Sequence, residues 1–309
     1  MKIKILYNRQ YIAFDLYINS IYKIFTSNEF FILNNYDIEL INNTSNLLNE
    51  DSDFLILFLN DIGLIYNLIL NNNTKIIFIN PDYILNYSQD DFNMINHYVN
   101  HINIQNTFIW EYNYLNIDYY NNNFDNKKYY FIPLLYNNYL EYIYNENKVS
   151  ISHDKKAIDV LFLGNVDPGS RRKLILDQLS TICNVCIMSG VNNIRHYINT
   201  IENSKIVLNI YSKESNMPFD YYRNALLYSN KVFLISEKKR DINLEIQNDL
   251  LELNDVLIEC NYNDILNTVE SYLKKTEYEI ESIKQKTYEI FKKNDMDKCV
   301  VNFFQQLQL

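Results

Sequence analysis

Two of the chain's six arginines, Arg171 and Arg172, stand side by side with Lys173 directly after Ser170. The stretch DVLFLGNVDPGSRRKLIL (159–176) also holds Gly164 and Gly169, two of only four glycines, and Pro168. DVLFL predicts a buried strand that ends on Gly164, where the backbone must turn sharply or meet a ligand closely. Asp167-Pro168-Gly169 supplies turn chemistry, and Ser170 is an N-cap for the helix that follows. Three cations in the first turn oppose the partial positive charge of a helix N-terminus, which costs roughly a few tenths of a kcal/mol each. An anion seated among them reverses that balance, because main-chain N–H groups and guanidinium forks together bind phosphate. The alternative is a solvated basic face paired with Asp167 and Asp177. Neither G-x-G-x-x-G nor the P-loop pattern occurs, which argues against a conventional dinucleotide enzyme and a P-loop NTPase.

A second cluster follows the apolar run KIVLNI (205–210). Tyr211, Ser212, Glu214, Ser215 and Asn216 come next, then Arg223 inside a helix, then the strand KVFLIS closing on Ser236 and Glu237. Hydroxyl, carboxylate and amide groups gathered at a strand end suit the hydroxyls of sugar and ribose. The alternative is a surface loop with a local Glu214–Arg223 ion pair. Other reactive residue types point nowhere so definite. Cys183 and Cys186 match C-x-x-C, but no second pair follows at zinc spacing, so they are expected as buried thiols in a reducing compartment. His97 and His101 lie four apart on a surface helix, and His153 and His196 form no cluster. Two Asp-x-Asp triplets, Asp51–Asp53 and Asp295–Asp297, are expected as solvated caps.

The elements needed to position these groups alternate along the chain. Strands are predicted at Lys2–Tyr7, Phe54–Leu59, Lys75–Asn80, Thr107–Trp110 and Tyr129–Ile132, with helices around Asp15–Phe25, Ile62–Leu70 and Asp90–Ile104. A polar segment, Tyr142–Lys156, predicts a linker. The rhythm then restarts with strands at Asp159–Leu163, Asn184–Met188, Lys205–Ile210, Lys231–Ser236 and Val256–Ile258. Helices are predicted from Ser170, at Asn193–Asn203 and around Tyr221–Leu227, with a long one over Ile265–Phe291 and a last one to Leu309. This is an α/β chain with parallel sheets, and its 309 residues suit two domains, 1–148 and 149–309. Ligands of such sheets sit beyond the carboxyl ends of the strands.

Twenty-eight Lys and Arg against 38 Asp and Glu leave a net charge of −10, which disfavours broad nucleic-acid binding. The weight of Tyr, Asn, Ile and Lys reflects an AT-rich genome, as in large DNA viruses, some protists and some low-GC bacteria. No apolar run reaches the ~20 residues of a membrane span, and MKIKILYNRQ predicts a first strand and not a signal peptide. A soluble cytoplasmic protein is expected, in the host cytoplasm if the source is viral.

The order DVLFLGNVDPGSRRKLILDQL, VCIMSGVNN, YINTIENSKIVLNIYSKESNMPFDYYRNALLYSNKVFLISE resembles the C-terminal half of GT-B-fold glycosyltransferases, nearest the CgeB-like and group 1-like type frequent in giant viruses. FIWEYNYLNI and YYFIPLLYNNYLE resemble the end of that family's N-terminal domain. The resemblance implies two Rossmann-like domains facing a cleft, with C-terminal helices able to cross back. Residues 1–148 would take the acceptor and 149–309 the nucleotide-sugar donor. Gly164 and Asn165 would line the donor cleft, Arg171 or Arg172 would meet the diphosphate, and Ser189 and Gly190 would border the base. Asn209, Tyr211, Glu214, Ser215, Asn216 and Arg223 would surround ribose, phosphate or sugar. Asn8, Asp15, Asp61 and Glu111 are the acceptor-side candidates, the acids as possible bases for an inverting reaction. No cofactor and no essential metal are implied; the partners are a nucleotide sugar and a glycan, protein or small-molecule acceptor. The chain departs from the family at Tyr222, where many relatives carry a second glutamate eight positions after the first. It departs again at Leu226 and at Asn230–Lys231, where a glutamate and a glycine are usual. A nucleotide- or sugar-binding protein without catalysis and a DNA-base glucosyltransferase remain as alternatives.

Overall fold

The computed structural model describes residues 1–6, 12–41, 52–58, 74–80, 107–113, 116–117, 122, 129–191, 193–212, 221–238, 252–253 and 256–307. The chain divides into two compact units, one formed by Met1–Leu134 with Met296–Leu309, the other by Leu135–Asp295.

In the first unit the described elements are β1 (Lys2–Leu6), α1 (Ile12–Ser27), α2 (Glu29–Leu33), β2 (Asp37–Ile41), β3 (Phe54–Phe58), β4 (Lys75–Ile79), β5 (Thr107–Glu111) and β6 (Tyr129–Phe131). They build a parallel sheet in the order β2-β1-β3-β4-β5-β6. FLILF, KIIFI and TFIWE form its centre because unbroken apolar runs suit strands covered on both faces.

The second unit runs α3 (Asn138–Asn147), β7 (Ile158–Leu163), α4 (Arg171–Leu179), β8 (Val185–Met188), α5 (Ile194–Glu202), β9 (Ser204–Asn209), α6 (Tyr221–Ser229), β10 (Leu234–Glu237), β11 (Ile258–Cys260), α7 (Ile265–Leu273) and α8 (Glu277–Lys293). Its sheet is also parallel, in the order β11-β10-β9-β7-β8. Val160, Phe162, Leu208 and Ile235 from its strands pack with Leu176 of α4 and Val269 of α7 in one buried cluster. The expected α/β class with two parallel, Rossmann-like units is therefore found.

The last described helix, α9 (Met296–Leu307), returns to the first unit. Phe303 packs edge-on against Trp110 (5.2 Å) and Tyr130 (4.6 Å), and Phe304 against Phe25 (5.3 Å), Phe31 (5.4 Å) and Phe54 (5.0 Å). Each ring contributes about 1.5–3 kcal/mol by burial alone.

Four differences from the sequence reading have local causes. The first unit ends at Leu134 and regains 296–309, so the expected 148/149 division does not coincide with the compact units. The predicted linker is helical as far as Asn147, because Asn137 caps α3 and Leu140 and Tyr144 bury on one face. The predicted long helix over Ile265–Phe291 is two helices: Thr276 and Glu279 form a capping box that starts α8 afresh. Strand β2 was not foreseen; its DIELI pattern is only half-buried at a sheet edge. The predicted helices Ile62–Leu70 and Asp90–Ile104 lie outside the described residues.

Candidate active site

In the second sheet the strand order reverses between β7 and β9, with β8 on one side and β10 and β11 on the other. Doubly wound sheets open a crevice at such a switch point, beyond the carboxyl ends of the two strands. The stretch after β7 arrives there, and so do the described residues after β9, Ile210 to Ser212.

Gly164 leaves β7 with φ +148° and donates its N–H to the Met188 carbonyl at the end of β8, 2.9 Å away. Gly169 adopts φ +72° in the predicted turn. Ser170 caps α4, its side chain accepting from Lys173 N at 3.2 Å. No acid occupies the first turn of α4.

The arginines reach across this turn to the start of the β9 loop. Arg171 donates through Nη1 to the Tyr211 carbonyl (2.8 Å) and forms a two-point ion pair with Glu237, Nη1–Oε2 2.7 Å and Nη2–Oε1 2.5 Å. Its guanidinium stacks 4.0 Å from the Tyr262 ring centroid, and the Tyr262 hydroxyl donates to the Arg171 carbonyl (2.7 Å). The pair is nearly buried, with side chains 12% and 6% exposed. Glu237 also accepts from Tyr211 N at 3.0 Å. Arg172 donates through Nε to the Ile210 carbonyl (2.9 Å) and through Nη1 to the Asn165 carbonyl (3.1 Å), linking the segments after β9 and β7. Its guanidinium lies over the Phe162 ring. Lys173 pairs with Asp177 on the helix surface, so the basic-face alternative holds for this residue alone of the three.

The remaining donor-side residues separate by exposure. Asn209 is buried and donates to Ser236 Oγ (3.0 Å), tying β9 to β10. Tyr211 is buried, while Ser189 and Gly190 are exposed beyond β8. Arg223 is half-buried in the first turn of α6 and close to Gly164. Glu214, Ser215 and Asn216 lie outside the described residues. Glu237 ends β10, as its sequence position suggests, but nothing in the sequence marks Arg171 as its partner. Tyr262, on a short 3-10 turn after β11, carried no sequence signal at all.

In the first unit Asn8 and Asp61 lie outside the described residues. Glu111 ends β5, fully buried, and accepts from Asn80 Nδ2 (2.7 Å) and Asn116 Nδ2 (2.9 Å). Two amide donors offset the desolvation of its carboxylate, and in this arrangement it straps the ends of β4 and β5 together. Burial, then the Glu111 charge, pushes nearby Tyr129 up to about 12. Asp15 is half-buried in the first turn of α1. Asp53 of the first Asp-x-Asp triplet accepts from Lys2 N (2.7 Å) at the amino end of the sheet, away from the strand ends that take ligands. The four cysteines are free thiols, and burial raises Cys183 and Cys260 above the usual thiol range. His97 and His101 lie outside the described residues. No group of three metal-binding side chains occurs among the described residues, and none of their helices is long and apolar enough to cross a membrane.

No protein-family model matches the chain, and no curated protein matches it. Among solved structures, the N-terminal domain of trehalose-6-phosphate phosphatase from Candida albicans is similar over 99% of this chain and 96% of that one, with 8% identity and TM-score 0.57. At that identity the likeness concerns the fold. An α1,3-fucosyltransferase crystallised with GDP-fucose aligns over 94% of this chain and 90% of its own, with 12% identity and TM-score 0.44. A putative UDP-N-acetylglucosamine 2-epimerase from Listeria monocytogenes aligns over 91% and 90%, with 8% identity and TM-score 0.48.

Proposed function

We propose that the chain is a GT-B-type glycosyltransferase, which moves a sugar from a nucleoside-diphosphate sugar held by the second unit to an acceptor. The observation that carries this reading is Arg172. It stands in the first turn of the helix after β7 and bonds the backbone on both sides of the switch point, at Asn165 and Ile210. Transfer breaks the bond between the anomeric carbon and the diphosphate, and the departing diphosphate gains negative charge. A guanidinium fork beside a helix N-terminus stabilises that charge as it develops. Arg223 adds a second cation beside Gly164. Ser189 and Gly190 would border the base, and Tyr211, Glu214, Ser215 and Asn216 the ribose and sugar. The CgeB-like sequence resemblance supports the same assignment, and no essential metal is expected.

A thermal-shift panel of UDP-, GDP- and dTDP-sugars, with a CMP-sugar as the monophosphate control and with and without EDTA, tests it. One nucleotide family should raise Tm and be turned over with release of free nucleotide, and EDTA should not abolish this. No shift with any donor would overturn the reading. Binding without turnover would favour a non-catalytic nucleotide-sugar receptor, the alternative that Tyr222 supports by standing where relatives carry a glutamate.

A further inference from the structure

We infer that Glu237 is a positioning residue for this site: it holds Arg171 as a clamp on the first residues after β9, so that Arg171 fixes the Tyr211 main chain while Arg172 meets the ligand. The ligand side of this proposal rests on the diphosphate reading above; the clamp itself does not.

The clamp is a closed ring of contacts. Glu237 accepts both prongs of the Arg171 fork and the Tyr211 N–H, and Arg171 returns a bond to the Tyr211 carbonyl. Both main-chain groups of Tyr211 are therefore fixed by one ion pair, and Arg172 fixes the preceding carbonyl at Ile210. Tyr262 covers the guanidinium face and bonds the Arg171 carbonyl. A carboxylate that takes two prongs of a nearly buried guanidinium offsets its charge and fixes its direction. Phosphate would have to displace Glu237 to gain the same fork. The segment held in this way leads directly into Ser212, Glu214, Ser215 and Asn216, the hydroxyl-, carboxylate- and amide-bearing residues of the sugar side.

The test uses the whole chain and the variants Arg171→Met, Arg171→Lys, Glu237→Gln, Arg172→Met and the double Arg171→Met/Glu237→Met. Hydrogen exchange at the Tyr211 amide and titration with inorganic pyrophosphate are the readouts. Loss of a charge-assisted bond should speed Tyr211 exchange about ten-fold in Glu237→Gln and in Arg171→Met, and the double variant should be no faster than either single. Arg171→Lys, which keeps the charge without the fork, should loosen Tyr211 in the same way while the fold stays intact. Pyrophosphate affinity should fall about ten-fold in Arg172→Met but stay within about three-fold in Arg171→Met. In Glu237→Gln it should rise, because a negative charge is removed beside a released guanidinium, which a merely structural role would not do. Unchanged Tyr211 exchange in the single variants would overturn the clamp. Equal losses in Arg171→Met and Arg172→Met would overturn the division of labour. If the unaltered chain binds no pyrophosphate, the diphosphate reading fails, and the exchange results still decide the clamp.

Discussion

A Cβ built on Gly164 would stand 3.7 Å from Nη1 of Arg223 and 3.5 Å from the Phe162 ring, which is ordinary van der Waals contact. Space is therefore not what demands glycine there; the φ of +148° is. Gly164→Ala is expected to destabilise the chain by about 1–3 kcal/mol through backbone strain. Gly169, at φ +72° with nothing within 4 Å of its Cβ position, should cost only about 1–2 kcal/mol as alanine. Urea unfolding of both variants checks the order, and a smaller loss at Gly164 would contradict it.

Lys231 sits just past α6 with φ +54°, the left-handed position where helices commonly end on glycine. The bond from Val232 N to the Leu227 carbonyl (3.0 Å) holds it there. Its ammonium also lies 4.8 Å from the Tyr288 ring centroid, a contact that both truncations remove. Lys231→Gly should therefore be about 1 kcal/mol more stable than Lys231→Ala, the reverse of the order inside a helix. Thermal melts of the pair measure the difference.

Burial pushes Asp159 up, but the Lys205 ammonium (2.7 Å) and the Asn184 N–H (2.9 Å) outweigh it and hold the carboxyl below its ordinary range. A lowered folded-state value means stability that is complete above the unfolded value, about 3.9, and lost as pH falls through the folded one. Asp159→Asn should cost about 1 kcal/mol at pH 7, since the pair is partly exposed. The cost should shrink as pH falls through that lowered folded-state value. Denaturant midpoints for both forms across pH 2–7 give the comparison, and a penalty that persists at the acid end would refute it.

Phe304 meets Phe25, Phe31 and Phe54 at 5.0–5.4 Å, and it is almost fully buried. Phe304→Ala should cost about 3–5 kcal/mol. The loss should fall on the first unit, seen as faster hydrogen exchange in β1 and β3 while β7 and β9 stay protected.

The sheets were legible because parallel strands covered on both faces are spelled as unbroken apolar runs; FLILF and KIIFI permit no other reading of comparable simplicity. The turn after β7 was legible because glycine, proline and a serine cap each have one dominant backbone use. Half-buried β2 gave no such run. The break between α7 and α8 hides in Thr276 and Glu279, a pair whose meaning depends on the spacing of a cap and not on hydrophobic period. The clustered arginines singled out this turn, yet what divides Arg171 from Arg172 is a carboxylate 66 residues away. That separation in sequence, closed only by the β9–β10 pairing, is why neither Glu237 nor Tyr262 could be assigned beforehand.

The return of α9 to the first unit has a consequence for synthesis. The second unit is one continuous stretch, 135–295, and all its strands and helices have been made before α9 exists. The first unit begins the chain but lacks Phe303 and Phe304 until residues 296–307 have left the ribosome. Until then the pocket formed by Phe25, Phe31, Phe54 and Trp110 stands open to water. The unit translated second is thus the first whose sequence is complete, and the nascent N-terminal half passes the whole of that interval without the two rings that cover its aromatic cluster.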